Sequence, residues 1–142
     1  MVYGQELDLA ENSDITEQRL CDIHTHKTGD LINAAVLMGA TAADIDETQM
    51  IALSDFAYKI GLVFQITDDV LDVVSTQEKL GKPIGSDEEN HKTTFVTLKG
   101  VDGCKKLAGQ ITNDACDLLN RQFGDKACFL IEFAQKLACR TM

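Results

Sequence analysis

Residues 46–74, DETQMIALSDFAYKIGLVFQITDDVLDVV, decide the fold of this chain. They contain no proline. Ile51, Leu53, Phe56, Ile60, Phe64, Val70 and Leu71 fall at helical steps and cover much of the circumference. The pattern predicts one long helix from Asp46 to Val74, central and packed on several sides. Gly61 inside it is read as a point of close helix packing rather than a break.

Outward from that helix the same period continues. Thr16 to Met38 carries Leu20, Ile23, Leu31, Ala35 and Met38 at mostly helical spacing, with a kink near Lys27-Thr28-Gly29 and an end at Gly39. Met1–Leu9 reads as the tail of a helix that runs into a polar loop, Ala10–Asp14. On the other side, Ser75–Thr93 is a loop that holds Gly81, Gly85, Asn90 and the single proline, Pro83. Thr94–Lys99, Val101–Phe123 and Lys126–Leu137 read as three further helices. The fold class that follows is an all-α helical bundle in one domain.

The chain has 142 residues, with 23 Asp and Glu against 13 Lys and Arg, and a formal charge of −10. That balance argues against nucleic-acid binding, which needs a basic face. A hydrophobic share of 44% is too high for an acidic disordered tail. No apolar run approaches the ~20 residues that span a bilayer, so no membrane span is expected. The N-terminus lacks the basic start and apolar stretch of a signal peptide. Five cysteines, an odd number with no Cys-x-x-Cys pair, predict reduced and mostly buried thiols in a cytoplasmic protein.

The chemistry concentrates in Phe64-Gln65-Ile66-Thr67-Asp68-Asp69-Val70-Leu71-Asp72. Asp68 and Asp72 are four apart, so a helix puts them on one face with Cβ atoms roughly 6 Å apart. Asp69 flanks them. Such carboxylates suit Mg²⁺, which takes one or two of them and completes its shell with water and phosphate oxygens. A solvated acidic stripe is the plain alternative, and the apolar neighbours on both sides weigh against it. Lys82 and Lys92 lie in the glycine-containing loop that follows, where two ammonium groups could close over a polyphosphate. Taken alone, they read as surface lysines balancing Asp87, Glu88 and Glu89. Lys27-Thr28-Gly29 offers an ammonium, a hydroxyl and a weakened helix, a weak signal by itself. His24, His26 and His91 read as core-edge or solvated side chains. No Ser/His/Asp or Cys/His set is present.

Four elements stand in a telling order: Gly4-Gln5-x-x-Asp8-Leu9; His26-Lys27-Thr28-Gly29-x-Leu31-Ile32; Gly61-x-x-Phe64-Gln65-x-x-Asp68-Asp69-x-Leu71-Asp72; and Gly81-Lys82-x-x-Gly85-x-Asp87-x-x-x-x-Lys92-x-Thr94. In this order the chain resembles the trans-prenyl diphosphate synthases. It looks most like the C-terminal half of the bacterial-type farnesyl diphosphate synthases (geranyltranstransferases), across essentially its whole length. The resemblance implies part of the helical isoprenoid synthase fold, with residues 1–142 forming the C-terminal half of a polyprenyl synthetase domain.

It further implies a prenyltransferase that condenses isopentenyl diphosphate with an allylic diphosphate, dimethylallyl or geranyl, with Mg²⁺ as cofactor. Asp68, Asp69 and Asp72 match the second aspartate-rich motif, which holds the metal, and Lys82 and Lys92 match lysines that bind the allylic diphosphate. Lys27, Thr28 and Gln65 match residues near the allylic group, with both catalytic and substrate-binding roles. Gln5 and Asp8 match a motif at the cavity wall. The first aspartate-rich motif has no counterpart here: Asp44, Asp46 and Glu47 do not reproduce it. Met1-Val2-Tyr3-Gly4-Gln5 resembles the middle of a family helix, so the chain is expected to be a fragment, a remnant or a split gene product. As half a bundle it is expected to pair with a second copy, to recruit the missing N-terminal half or to fold poorly, and to be inactive alone. The competing reading is a non-catalytic regulatory subunit of a full-length prenyl diphosphate synthase.

Overall fold

The computed structural model describes residues 1–10, 16–80 and 93–141. Helix α1 spans Val2–Ala10 and α2 spans Glu17–His24. A π-helical segment, Thr25–Gly29, joins α2 directly to α3, Asp30–Ala42. Helix α4 runs through Glu47–Leu80, α5 through Phe95–Phe123 and α6 through Cys128–Ala138. No strand occurs among the described residues.

The boundaries follow from local chemistry. The Thr16 side chain accepts a hydrogen bond from the Arg19 N–H (3.3 Å) and starts α2. Asp46 starts α4 by accepting from the Gln49 N–H (2.8 Å). Thr94 and Thr97 form a reciprocal capping box at the start of α5. The kink expected near Lys27–Gly29 takes the form of a wider π turn, so the chain stays helical through it. Gly39 does not end α3, which continues to Ala42 before Asp44 turns left-handed at φ 52°. Helix α4 likewise outruns its expected end at Val74, so the loop expected from Ser75 does not begin before residue 81. Residues 81–92 of that loop lie outside the described residues; of the polar loop expected at Ala10–Asp14, Ala10 belongs to α1 and residues 11–14 lie outside the described residues. Gly100, at φ 70° and ψ 167°, breaks α5 between the two helices expected there.

Helix α4 is the centre. Phe56, Ile60, Val63, Ile66 and Val70 are buried on it, and its broadest contact is with α5, through Phe95, Cys104, Ala108 and Leu119. The stretch Glu47–Val74 is long and apolar enough to cross a membrane by length and composition alone, so the expectation that no run approached that length is corrected. Half of its most apolar window is buried against neighbouring helices, as for a core rod.

Close backbone contact sets the other crossings. A Cβ at Gly4 would lie 2.1 Å from the Lys27 backbone nitrogen, and one at Gly61 would lie 2.9 Å from the Gly29 Cα. Only glycine permits α1 to rest on the π segment and the π segment to rest on α4. The Gly61 expectation is thereby met.

Several expected core positions point outward. Leu31, Met38 and Ile51 are 58%, 69% and 64% exposed, and Ala35 is also exposed. Helix α3 buries Ala40 and packs Val36 on the core, while Leu31, Ala35 and Met38 lie on its exposed side. The cysteines are less buried than expected. All five are unpaired, with Cys104 and Cys116 buried, Cys21 half-buried, and Cys128 and Cys139 exposed. Burial pushes the Cys104 thiol up to about 11; the Asp69 charge adds to this and Lys99 opposes it.

Two outcomes follow. Gly4→Ala displaces α1 and lowers stability by about 1–3 kcal/mol, measured as a shift in the urea midpoint at constant slope. At neutral pH a disulfide reagent modifies Cys128 and Cys139 quickly, whereas Cys104 and Cys116 react only after denaturation, because buried thiols with raised pKa hold little thiolate. Rapid labelling of Cys104 in the folded chain contradicts this.

Candidate functional site

The expected site residues come from two elements. The π segment carries Lys27 and Thr28, both half-buried. Helix α4 carries Gln65, which is buried, Asp68 and Asp69, which are half-buried, and Asp72, which is exposed. Gly61, Gln65, Asp68 and Asp72 are spaced four, three and four apart, so they form one stripe. The π segment meets that stripe at Gly61 through Gly29. Asp68 follows Gly61 by seven residues, about 10 Å along the axis. The fold therefore puts Lys27 and Thr28 at one end of a stripe whose other end is acidic. Lys82 and Lys92 lie outside the described residues.

The triplet does not act as one unit. The Phe95 N–H at the start of α5 donates to Asp69 Oδ2 (2.9 Å). The first N–H groups of a helix have no partner within it, and the helix dipole favours a negative group there. Asp69 thus ties α4 to the beginning of α5, a role its sequence position did not reveal. Asp68 and Asp72 keep the i, i+4 relation. Among the described residues no group of three or more His, Cys, Asp or Glu side chains is drawn together to hold a metal ion. A pair of hard carboxylate oxygens on one helical face still fits the share that Mg²⁺ takes from protein, the remainder being water and phosphate oxygens.

Around the π segment lies a polar network that sequence reading did not assemble. Lys27 Nζ donates to Asp8 Oδ2 at 2.7 Å, joining the π segment to α1. The Tyr58 hydroxyl donates to Asp30 Oδ1 (3.2 Å), and His26 Nδ1 lies 3.1 Å from Asp30 Oδ2. Tyr3 sits edge-on to the His26 ring, with centroids 5.1 Å apart. His24 is buried and stacked on Phe95, a core-edge place as expected. The available signal for the first contact was the Gly4-x-x-x-Asp8 spacing, which puts both residues on the face of α1 toward Lys27.

The Polyprenyl synthetase family model matches residues 1–126. The chain belongs to the polyprenyl synthetase family. It is 43% identical over 142 residues to a geranylgeranyl diphosphate synthase of Cyanophora paradoxa, covering 99% of this chain and 47% of that protein. It is 40% identical over 120 residues to a farnesyl diphosphate synthase of Micrococcus luteus, covering 84% of this chain and 41% of the other. Among solved structures, it is similar to the geranyltransferase of Helicobacter pylori complexed with magnesium and isoprenyl diphosphate. That likeness has a TM-score of 0.71 at 32% identity, covering 99% of this chain and 46% of the other. The polyprenyl synthetase chain described here thus spans about half the length of the relatives it matches. The all-α fold is a partial isoprenoid synthase fold, and the resemblance to prenyl diphosphate synthases holds.

Asp69→Ala removes the acceptor at the start of α5 and is expected to cost about 1–2 kcal/mol in denaturant unfolding. Asp69→Asn keeps an acceptor oxygen and is expected to cost less than half of that. Equal losses for the two would show that the hydrogen bond to Phe95 contributes nothing.

Proposed function

We propose that this chain is the C-terminal half of a short-chain trans-prenyl diphosphate synthase of the farnesyl type, with the Mg²⁺-binding wall for the allylic diphosphate. One observation carries the reading: the π segment with Lys27 and Thr28 crosses α4 at the start of the stripe that continues through Gln65 to Asp68 and Asp72. The Helicobacter pylori relative, complexed with magnesium and isoprenyl diphosphate, supports the same chemistry. Five unpaired thiols suit a reducing, cytoplasmic setting.

The substrates would be isopentenyl diphosphate and dimethylallyl or geranyl diphosphate. Ionisation of the allylic carbon–oxygen bond leaves an allylic cation and diphosphate, the isopentenyl double bond attacks the cation, and a proton is lost. Mg²⁺, when bound, neutralises charge that grows on the departing diphosphate. Asp68 and Asp72 would hold it. Lys27 would add a donor toward the diphosphate oxygens, as would Lys82 and Lys92. The Thr28 and Gln65 oxygens would orient the allylic group and steady positive charge on it. The first aspartate-rich motif would come from the N-terminal half, and the outward apolar face of α3 suits a helical partner, either that half or a second copy.

Titration with geranyl S-thiolodiphosphate tests the site. Binding is expected only with Mg²⁺ present, and Asp68→Ala is expected to weaken it by about tenfold or more, ~1.4 kcal/mol. Binding that ignores both Mg²⁺ and Asp68 would refute the assignment. The 142-residue chain alone is expected to form no product from isopentenyl and geranyl diphosphates, and the separately expressed N-terminal half is expected to restore turnover.

A further inference from the structure

We infer that Asp8 is a positioning residue for Lys27, fixing the ammonium that would meet the allylic diphosphate; this rests on the function proposed above. Two contacts from one face of α1 hold Lys27. At the backbone, Gly4 lies against the Lys27 nitrogen so closely that no side chain fits between them. At the tip, Asp8 Oδ2 accepts from Lys27 Nζ at 2.7 Å. Gly4 and Asp8 are one turn apart, so α1 grips Lys27 at both ends of its side chain.

The burial is asymmetric. The Asp8 side chain is 6% exposed and that of Lys27 30%. The carboxylate sits inside the contact, and the ammonium lies nearer the solvent-accessible side. A lysine stem has many rotamers, and a fixed ammonium loses less freedom when a ligand arrives. An ammonium has three donors, so one directed at Asp8 leaves two for diphosphate oxygens. A carboxylate so near a phosphate site is otherwise unfavourable. Its place behind the ammonium explains how the two charges can coexist.

The test is a double-mutant cycle on the affinity for geranyl S-thiolodiphosphate with Mg²⁺, with thermal melts of each variant. Asp8→Asn is expected to weaken binding about tenfold, and Asp8→Glu to recover part of that loss. In a Lys27→Gln background, Asp8→Asn is expected to change affinity less than about twofold, because the residue acts through Lys27. If Asp8→Asn does not melt cooperatively, Asp8→Glu in the same two backgrounds replaces it, and is expected to weaken binding only where Lys27 is present. Unchanged affinity in Asp8→Asn, or an equal loss in both backgrounds, overturns the inference and leaves the proposed function standing. A parent chain that does not bind the analogue at all removes both.

Discussion

The site depends on backbone-to-backbone contact at three glycines. Gly4 lies on Lys27, and Gly29 lies on Gly61, so α1, the π segment and α4 stack with almost nothing between them. Side chains at those positions would hold the elements apart and carry Lys27 away from both Asp8 and the α4 stripe. Dispersion falls off steeply with separation, so contact this close also contributes cohesion that side chains cannot replace without repacking. The Tyr58–Asp30–His26 network then fixes the rotation of α3 about its axis at the same crossing.

The charges along this scaffold differ in their surroundings. The chain is strongly acidic, yet its carboxylates are not equivalent. Asp8 is nearly buried against an ammonium, Asp69 faces the positive end of α5, and Asp72 is exposed. Asp69 also raises the pKa of Cys104, which puts its field within the α4–α5 core. A run of three aspartates in sequence therefore becomes one structural anchor, Asp69, and two carboxylates, Asp68 and Asp72, spaced to share one helical face.

Much of the fold was legible because helical periodicity in a proline-free chain is a strong local signal. The long central helix, the break at Gly100 and the packing role of Gly61 are all written in residue spacing. Outward-facing Leu31, Ala35 and Met38 were not legible, since periodicity marks an apolar face without saying what covers it. Gly39 misled because glycine weakens a helix by only about 1 kcal/mol, and α3 runs past this exposed position to bury Ala40. The stripe through Gln65, Asp68 and Asp72 could be read from spacing. The Lys27–Asp8 pair was only half legible: the Gly4-x-x-x-Asp8 spacing marks a face of α1, but not the residue 19 positions on that meets it.

The π segment sets the phase of everything downstream of it. Such a turn is an α-helix with one residue inserted, and each residue turns the chain by about 100°. Removing one residue between Thr25 and Gly29 would give a more regular helix and a rotated α3. Asp30 would swing away from Tyr58, and Leu31 and Met38 would move round the bundle. The irregular turn thus works as an indexing device: it trades local regularity for the angular setting at which α1 and α4 both meet the same short segment.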